Sequence, residues 1–329
     1  MQKMEFQVKV VILSFVISII AALIVIPILR KLKIGQIERD DGPQSHLKKQ
    51  GTPTMGGIIM AIALIIIPLV LLTGIFGDSV KEVTFKFLPL ALVTVGFGLV
   101  GFVDDFIKLV LKNTKGLKPL YKMFGLLIVA VAYTIYLVKV ANLGTETYIP
   151  IIKQYINIPV WVYIPFAIFV LLGTTNAVNL TDGIDGLSTS VTTIIITALT
   201  VISIMFAVPE VTLFGAVLIG ACLGFLMFNL HPAKVFMGDT GSLFLGGAIS
   251  GIALYLKMPL ILVILALIPI IETISVMIQV LYFKKTGNRI FKMAPIHHHF
   301  ELSGWNENKI VSIFSVITLV LCVIGIFIV

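Results

Sequence analysis

The sequence predicts an all-α, polytopic membrane protein with about ten transmembrane helices, and three observations carry that expectation. Of 329 residues, 58% are hydrophobic and 12% are charged, about half the charge of an average soluble domain. The mean hydropathy is +1.10, and the apolar residues come in blocks of about twenty, the length at which a helix crosses hydrocarbon. The Lys and Arg residues fall between the blocks. The net charge of +8 therefore reflects orientation in a bilayer, and nucleic acid is not an expected partner.

Hydrophobic runs and breakers place the helices near 6–29, 56–74, 88–110, 121–140, 158–177, 187–207, 211–229, 240–257, 259–284 and 308–329. The first run, Phe6–Leu29, carries no cleavage pattern and reads as a retained span. Lys257-Met258-Pro259 separates the eighth and ninth runs, where Pro permits a tight turn. The outer loop Asn142–Asn157 suits a small hairpin. Seventeen of the 24 Lys and Arg residues lie in alternate loops, those holding Arg30–Lys49, Lys108–Lys122, Lys234, Lys284–Lys292 and Lys309. That excess assigns these loops to the cytoplasm and both termini to the outside. Residues 1–329 read as a single integral membrane domain, and Cys222 and Cys322 as packing residues within apolar runs.

The unusual polar motifs all fall on the cytoplasmic side. Asp104-Asp105 ends the third run. Two adjacent carboxylates at a membrane edge repel each other unless a cation or proton intervenes, and Lys108 lies one helical turn from both. A solvated helix end explains the pair as well as a Mg²⁺–phosphate site does, until the neighbouring lysines are counted. Asn176-Ala-Val-Asn179-Leu-Thr-Asp182-Gly-Ile-Asp185-Gly sets two amides one turn apart and two carboxylates in the turn that follows. An EF-hand loop fails here, because Ile184 occupies the third position from Asp182.

Three further segments join them. Asn229-Leu-His-Pro-Ala-Lys-Val-Phe236-Met-Gly-Asp239 puts an acid between glycines at a helix start. It could serve as a cap or as a cation ligand, and Phe236 offers a flat face for a base. Met293-Ala-Pro-Ile-His297-His298-His299-Phe-Glu301 is an internal histidine run whose spacing suits phosphate better than zinc. Glu272 and Gln279 share a helix face, and Glu272 sits deep in an apolar stretch where it bonds a neighbouring helix or serves function. In the first cytoplasmic loop Lys48 and Lys49 precede Gly51-Thr-Pro-Thr-Met-Gly-Gly and suit lipid headgroups or one phosphorylated ligand.

Taken jointly, these motifs resemble the phospho-N-acetylmuramoyl-pentapeptide transferase family, within the polyprenyl-phosphate N-acetylhexosamine-1-phosphate transferases. The Asp-Asp and Asn/Asp motifs resemble the wider superfamily, and His-His-His-Phe-Glu the muramoyl-pentapeptide branch. The resemblance runs the length of the chain. It implies transfer of phospho-N-acetylmuramoyl-pentapeptide from UDP to undecaprenyl phosphate, giving lipid I and UMP, with Mg²⁺, in the bacterial plasma membrane and as a homodimer. It implies a catalytic set of Asp104, Asp105, Lys108, Asp239 and His297, with Asp239 binding the metal and Asp104 or Asp105 as further ligands. It implies a substrate-binding set of Lys48, Lys122, Asn176, Asn179, Asp182, Asp185, Asn229, Phe236, Gln279 and His298, where Lys115 and Lys118 compete with Lys122. Asp104 would either take a proton from, or position, the attacking lipid phosphate, or form a covalent intermediate. The alternatives are N-acetylglucosamine-1-phosphate transfer to the same lipid and, from another class, a secondary transporter.

Overall fold

The computed structural model describes residues 2–32, 49, 51–111 and 116–329. The described helices are α1 Gln2–Lys31, α2 Gly57–Leu72, α3 Asp78–Leu109, α4 Pro119–Ile135, α5 Val160–Thr181, α6 Leu187–Met205 and α7 Pro209–Asn229. They continue with α8 Gly238–Tyr255, α9 Leu262–Leu265, α10 Leu267–Thr286, α11 Ile296–Glu301 and α12 Glu307–Ile328. A π-helical turn, Tyr136–Val140, extends α4. The only sheet among the described residues is the antiparallel hairpin of β1 Glu146–Ile149 and β2 Gln154–Asn157, with Tyr148 opposite Tyr155.

Eight of these helices are long and apolar enough to cross a membrane: α1, α3, α4, α5, α6, α7, α10 and α12. The other two expected runs are α2, with 16 residues, and α8, whose 18 residues are diluted by glycines and Asp239. Two boundaries differ from the sequence reading. The third run begins at Asp78, because α3 continues through Pro89 and absorbs a polar stretch. The ninth is not one helix over 259–284: a 3₁₀ turn Pro259–Ile261 leads into α9, and Ala266, at φ −101° and ψ 26°, breaks it from α10.

Helix α8 forms the axis of the bundle, with fifteen of its 18 residues buried. In a membrane, helices associate by close van der Waals contact, so small residues gather where backbones meet. Gly57 of α2 faces Gly241 of α8 backbone to backbone, and a Cβ on Gly101 of α3 would collide with the carbonyl of Asp239. Those two approaches bring α2 and α3 onto the first turn of α8. Helices α1 and α10 instead expose apolar side chains such as Ile12, Ile20, Met277 and Leu281, the surface that lipid covers.

The hairpin marks the opposite end. Lys257, just past α8, pairs with Glu146 at 2.8 Å, and the Tyr148 hydroxyl donates to the Val329 carbonyl at 3.0 Å. Phe6 packs on Phe76, in the turn after α2. Both termini thus lie at the end of the bundle away from Asp239, separated from it by the length of α8, about 27 Å at 1.5 Å per residue.

Candidate active site

The first turn of α8 is capped from another helix. Asp105 accepts the backbone N–H of Thr240 at 2.8 Å and of Asp239 at 3.3 Å, and the Thr240 hydroxyl at 2.6 Å. A carboxylate at the positive end of a helix satisfies donors that have no partner within the helix. Asp105 is 5% exposed and both its oxygens are engaged, so it builds the site from beneath. Asp239 is not the cap of its own helix. It stands in the first turn with its side chain free to face α3, α4 and α5.

Its neighbours there are cationic. Lys108 reaches Asp104 Oδ2 at 2.9 Å and Asp239 Oδ2 at 2.8 Å, and Lys122 reaches the same oxygens at 3.2 and 2.9 Å. The second oxygens are also held. Asp104 Oδ1 accepts the Leu117 N–H at 2.8 Å, and Asp239 Oδ1 accepts the Asn179 amide at 2.7 Å. The same amide nitrogen donates to Ser242 at 2.8 Å. Of the lysines that compete by position, Lys122 is the one in the centre. Lys118 sits exposed at the N-cap of α4, and Lys115 lies outside the described residues.

The turn after α5 lines one wall. Among the described residues the Asp182 side chain makes no hydrogen bond, and burial, together with the charges of Asp239, Asp105 and Asp185, pushes its carboxyl up to about 8. Beneath this turn lies His297: the ring rests on Gly183, where any Cβ would strike its Nε2. His297 and Glu272 are both fully buried, with Nδ1 and Oε2 3.1 Å apart. Among the described residues, neither ring nitrogen nor Glu272 Oε1 completes a hydrogen bond. Glu272 thus joins helix α10 to α11, as the bland sequence reading allowed.

Other expected site residues stand elsewhere. Asn229 is 2% exposed, accepting from Thr189 and donating to the Val235 carbonyl, so it clamps α6 to the loop before α8. Gln279 accepts the N–H groups of Ile290 and Phe291 and donates to the Phe291 carbonyl, splinting the loop after α10. Asn176 donates to the Leu172 carbonyl of its own helix. Phe236 is half-buried, its backbone paired with Pro53 and Gly56. The three histidines take three different partners: Glu272 for His297, Glu301 for His298 at 2.6 Å, and the Lys292 N–H for His299. Lys48 lies outside the described residues, whereas Lys49 is in place, paired with Asp185 at 2.7 Å and Glu307 at 2.6 Å. The sequence reading passed over Glu307, whose one signal was an acid in the first turn of an otherwise apolar final helix.

Among the described residues, one cluster brings three metal-ligand atoms together. Asp185, His231 and Glu307 lie within 4.8 Å of one another, but the Lys49 ammonium already spans both carboxylates. At the reaction centre Asp104 and Asp239 share Lys108 and Lys122, and Asp105 is spent on the cap of α8. The hard carboxylate oxygens of Asp104 and Asp239 are of the kind a divalent cation takes, with its shell completed by water and phosphate oxygens.

The chain is a polytopic α-helical protein with such an anion-managing centre at one end of its bundle, and its class is given by residues 87–257, which match the family model described as glycosyl transferase family 4. A phospho-N-acetylmuramoyl-pentapeptide-transferase of Acetivibrio thermocellus is 50% identical over 320 residues, covering 97% of this chain and 94% of that one. Proteins of the same name from Clostridium perfringens and Caldicellulosiruptor bescii are 51% and 46% identical, covering 97% and 96% of this chain and 97% and 95% of their own. The chain belongs to this family, within its phospho-N-acetylmuramoyl-pentapeptide-transferase branch.

Proposed function

We propose that the chain transfers phospho-N-acetylmuramoyl-pentapeptide from its UDP donor to undecaprenyl phosphate, releasing UMP and forming lipid I. The observation that carries this reading is the pair Asp104 and Asp239, joined through both Lys108 and Lys122. Joining two phosphorylated anions requires cations placed before they meet, and ammonium groups held by buried carboxylates need no reorganisation to receive them.

A lipid phosphate oxygen attacks the β-phosphorus of the donor. The new P–O bond forms as the bond from that phosphorus to the oxygen bridging the α-phosphate breaks, and UMP leaves with the bonding electrons. Lys108 and Lys122 stabilise the charge that accumulates on the departing phosphate. Asn179 orients Asp239 through its 2.7 Å amide bond. Mg²⁺, held by Asp239 with Asp104 beside it, would offset the diphosphate's charge. Asp104 positions the lipid phosphate or takes its proton. Direct attack is favoured over a covalent aspartyl intermediate because Asp104 is 2% exposed and its two oxygens are occupied by the Leu117 N–H and two ammonium groups.

Phe236 and the Asp182 turn serve the nucleotide and sugar in this reading, supported by the family resemblance and, for the turn, by its link through Asn179 to Asp239. The ten apolar runs support ten crossings, the lysine distribution supports both termini outside and the site inside, and the bacterial relatives support a cytoplasmic membrane. The homodimer rests on the resemblance.

The test is UMP release by purified protein in detergent, given UDP-N-acetylmuramoyl-pentapeptide, undecaprenyl phosphate and Mg²⁺, beside Asp239→Ala. Release that needs lipid and metal and is lost in the variant is expected. Turnover of UDP-N-acetylglucosamine instead would move the chain to the sister reaction, and silence with both donors in folded protein would overturn the enzyme reading. Phosphosugar trapped on the protein without lipid would overturn direct attack.

A further inference from the structure

Four cytoplasmic-end segments, distant in sequence, meet in one charged knot beside the reaction centre. Lys49 comes from the segment before α2, Asp185 from the turn between α5 and α6, His231 from the loop between α7 and α8, and Glu307 from the first turn of α12. Asp185 is saturated: Oδ1 takes Lys49, while Oδ2 takes the Ala233 N–H at 3.0 Å and lies 3.0 Å from His231 Nδ1. Glu307 Oε2 binds Lys49 at 2.6 Å, accepts the Asp185 N–H at 3.2 Å and stands 3.8 Å from His231 Nδ1.

The bland account of Glu307 is an acid that favours the start of its own helix. The contacts decide against that as its main role. Asn306 already caps α12, accepting the Lys309 N–H at 2.8 Å, and the Glu307 carboxylate turns away across the gap to Lys49. With only 7% of Glu307 and 12% of the Lys49 side chain exposed, the pair is shielded from the screening that makes surface ion pairs weak.

The knot is joined to the chemistry by one short piece of chain. Asn179 at the end of α5 holds Asp239, Asp182 faces the centre, and Asp185 is fixed in the knot. The turn is therefore pinned at both ends, by Asp239 on one side and by Glu307 with Lys49 on the other.

We infer that Glu307 is a positioning residue: it holds Lys49 and the Asp185 backbone together, and so sets the Asp182 turn for the phosphorylated donor. This rests on the transfer reaction proposed above. Removing its charge leaves Lys49 on Asp185 alone and weakens the hold on the Asp185 N–H, loosening the outer half of the turn, while Asp104, Asp239, Lys108 and Lys122 keep their mutual contacts. The defect should fall on donor binding more than on the chemical step.

The experiment compares wild type, Glu307→Gln and Glu307→Asp, each as the full chain in detergent, in steady-state UMP release and in amide hydrogen exchange. Glu307→Gln is expected to raise the donor KM about tenfold, as for loss of one charge-assisted hydrogen bond. The expected kcat stays within about threefold and the lipid KM within about twofold, with partial recovery in Glu307→Asp. Exchange should quicken in peptides covering 182–190 and not in those covering 243–255. An unchanged donor KM with unchanged exchange, or equal quickening in both regions, would overturn the inference. Exchange is read without turnover, so a wild type that releases no UMP would defeat the proposed reaction and leave the positioning role decided by the 182–190 peptides.

Discussion

The Asn179 amide donates to Asp239 Oδ1 at 2.7 Å, linking the end of α5 to the first turn of α8 across 60 residues of sequence. The bond leaves Asp239 Oδ2 to face Lys108 and Lys122. It makes the orientation of the central carboxylate a property of two helices. Substituting Asn179→Leu should lower kcat about 10- to 100-fold, the range expected when a hydrogen bond to a charged group is lost. Donor and acceptor KM should change less. UMP release under saturating substrates checks this, and an unaltered kcat would remove Asn179 from the centre.

Lys122 and Lys118 are four residues apart, and their burial separates them. Lys122→Ala leaves Asp104 and Asp239 with one ammonium group in place of two. Losing one preorganised donor to the developing charge typically lowers kcat about 10²- to 10³-fold, and a drop of that size is expected here. Lys118→Ala, at an exposed helix start, should stay within about twofold of wild type. Parallel assays of the two variants settle the assignment.

Gly101 is the point where α3 touches the Asp239 carbonyl. Neither partner at that contact is a flexible side chain, so Gly101→Ala must force α3 and α8 apart. Overpacking of this kind costs about 1–3 kcal/mol. The expected outcome is a lower Tm in detergent together with lost turnover, because the Asp105 cap of α8 crosses the same interface. A variant with wild-type Tm and activity would show that the two helices have slack.

Asp182 sets a pH dependence. Its carboxyl is raised from 3.8 to about 8, first by burial and then by the charges of Asp239, Asp105 and Asp185. The folded chain therefore binds this proton more tightly than the unfolded chain does. Stability from this group is full below about pH 4 and declines as pH rises to about 8, where the folded form finally ionises. Asp182→Asn is neutral throughout. The Tm of wild type should fall relative to this variant across that window, and parallel Tm–pH curves would contradict the raised value.

Gly183 and Glu272 meet the same ring from two sides. Gly183→Ala would press on His297 Nε2 and displace the Asp182 turn, with loss of donor binding as the expected result. Glu272→Leu removes the buried carboxylate that faces His297, and it should lower Tm. Donor KM and Tm, measured for both variants, separate a displaced turn from a loosened α10–α11 contact.

Much of the architecture is a local property of the chain. An apolar block of span length must become a helix because hydrocarbon leaves backbone groups no other partner. The runs, their basic loops and the hairpin were therefore legible in order. So was the i,i+4 contact of Asp104 with Lys108, which depends only on helical spacing. The long runs misled at their ends. Hydrophobicity alone gives no sign that the chain breaks at Ala266, and α8 is too rich in glycine to stand out as the axis.

The sequence by itself determined which residues carry charge into an apolar molecule, and that they gather at one end. Only the tertiary structure decided what each one does. Asp105 became a cap and Asp104 half of an ammonium-bridged pair, although they are neighbours in sequence. Asn229 and Gln279 were spent on backbone, and Glu307 was recruited from the last helix. The reason is distance. A carboxylate's partner is set by which helices approach closely enough to share it, and here glycine contacts such as Gly57–Gly241 and Gly101–Asp239 fix that approach between segments far apart in the chain.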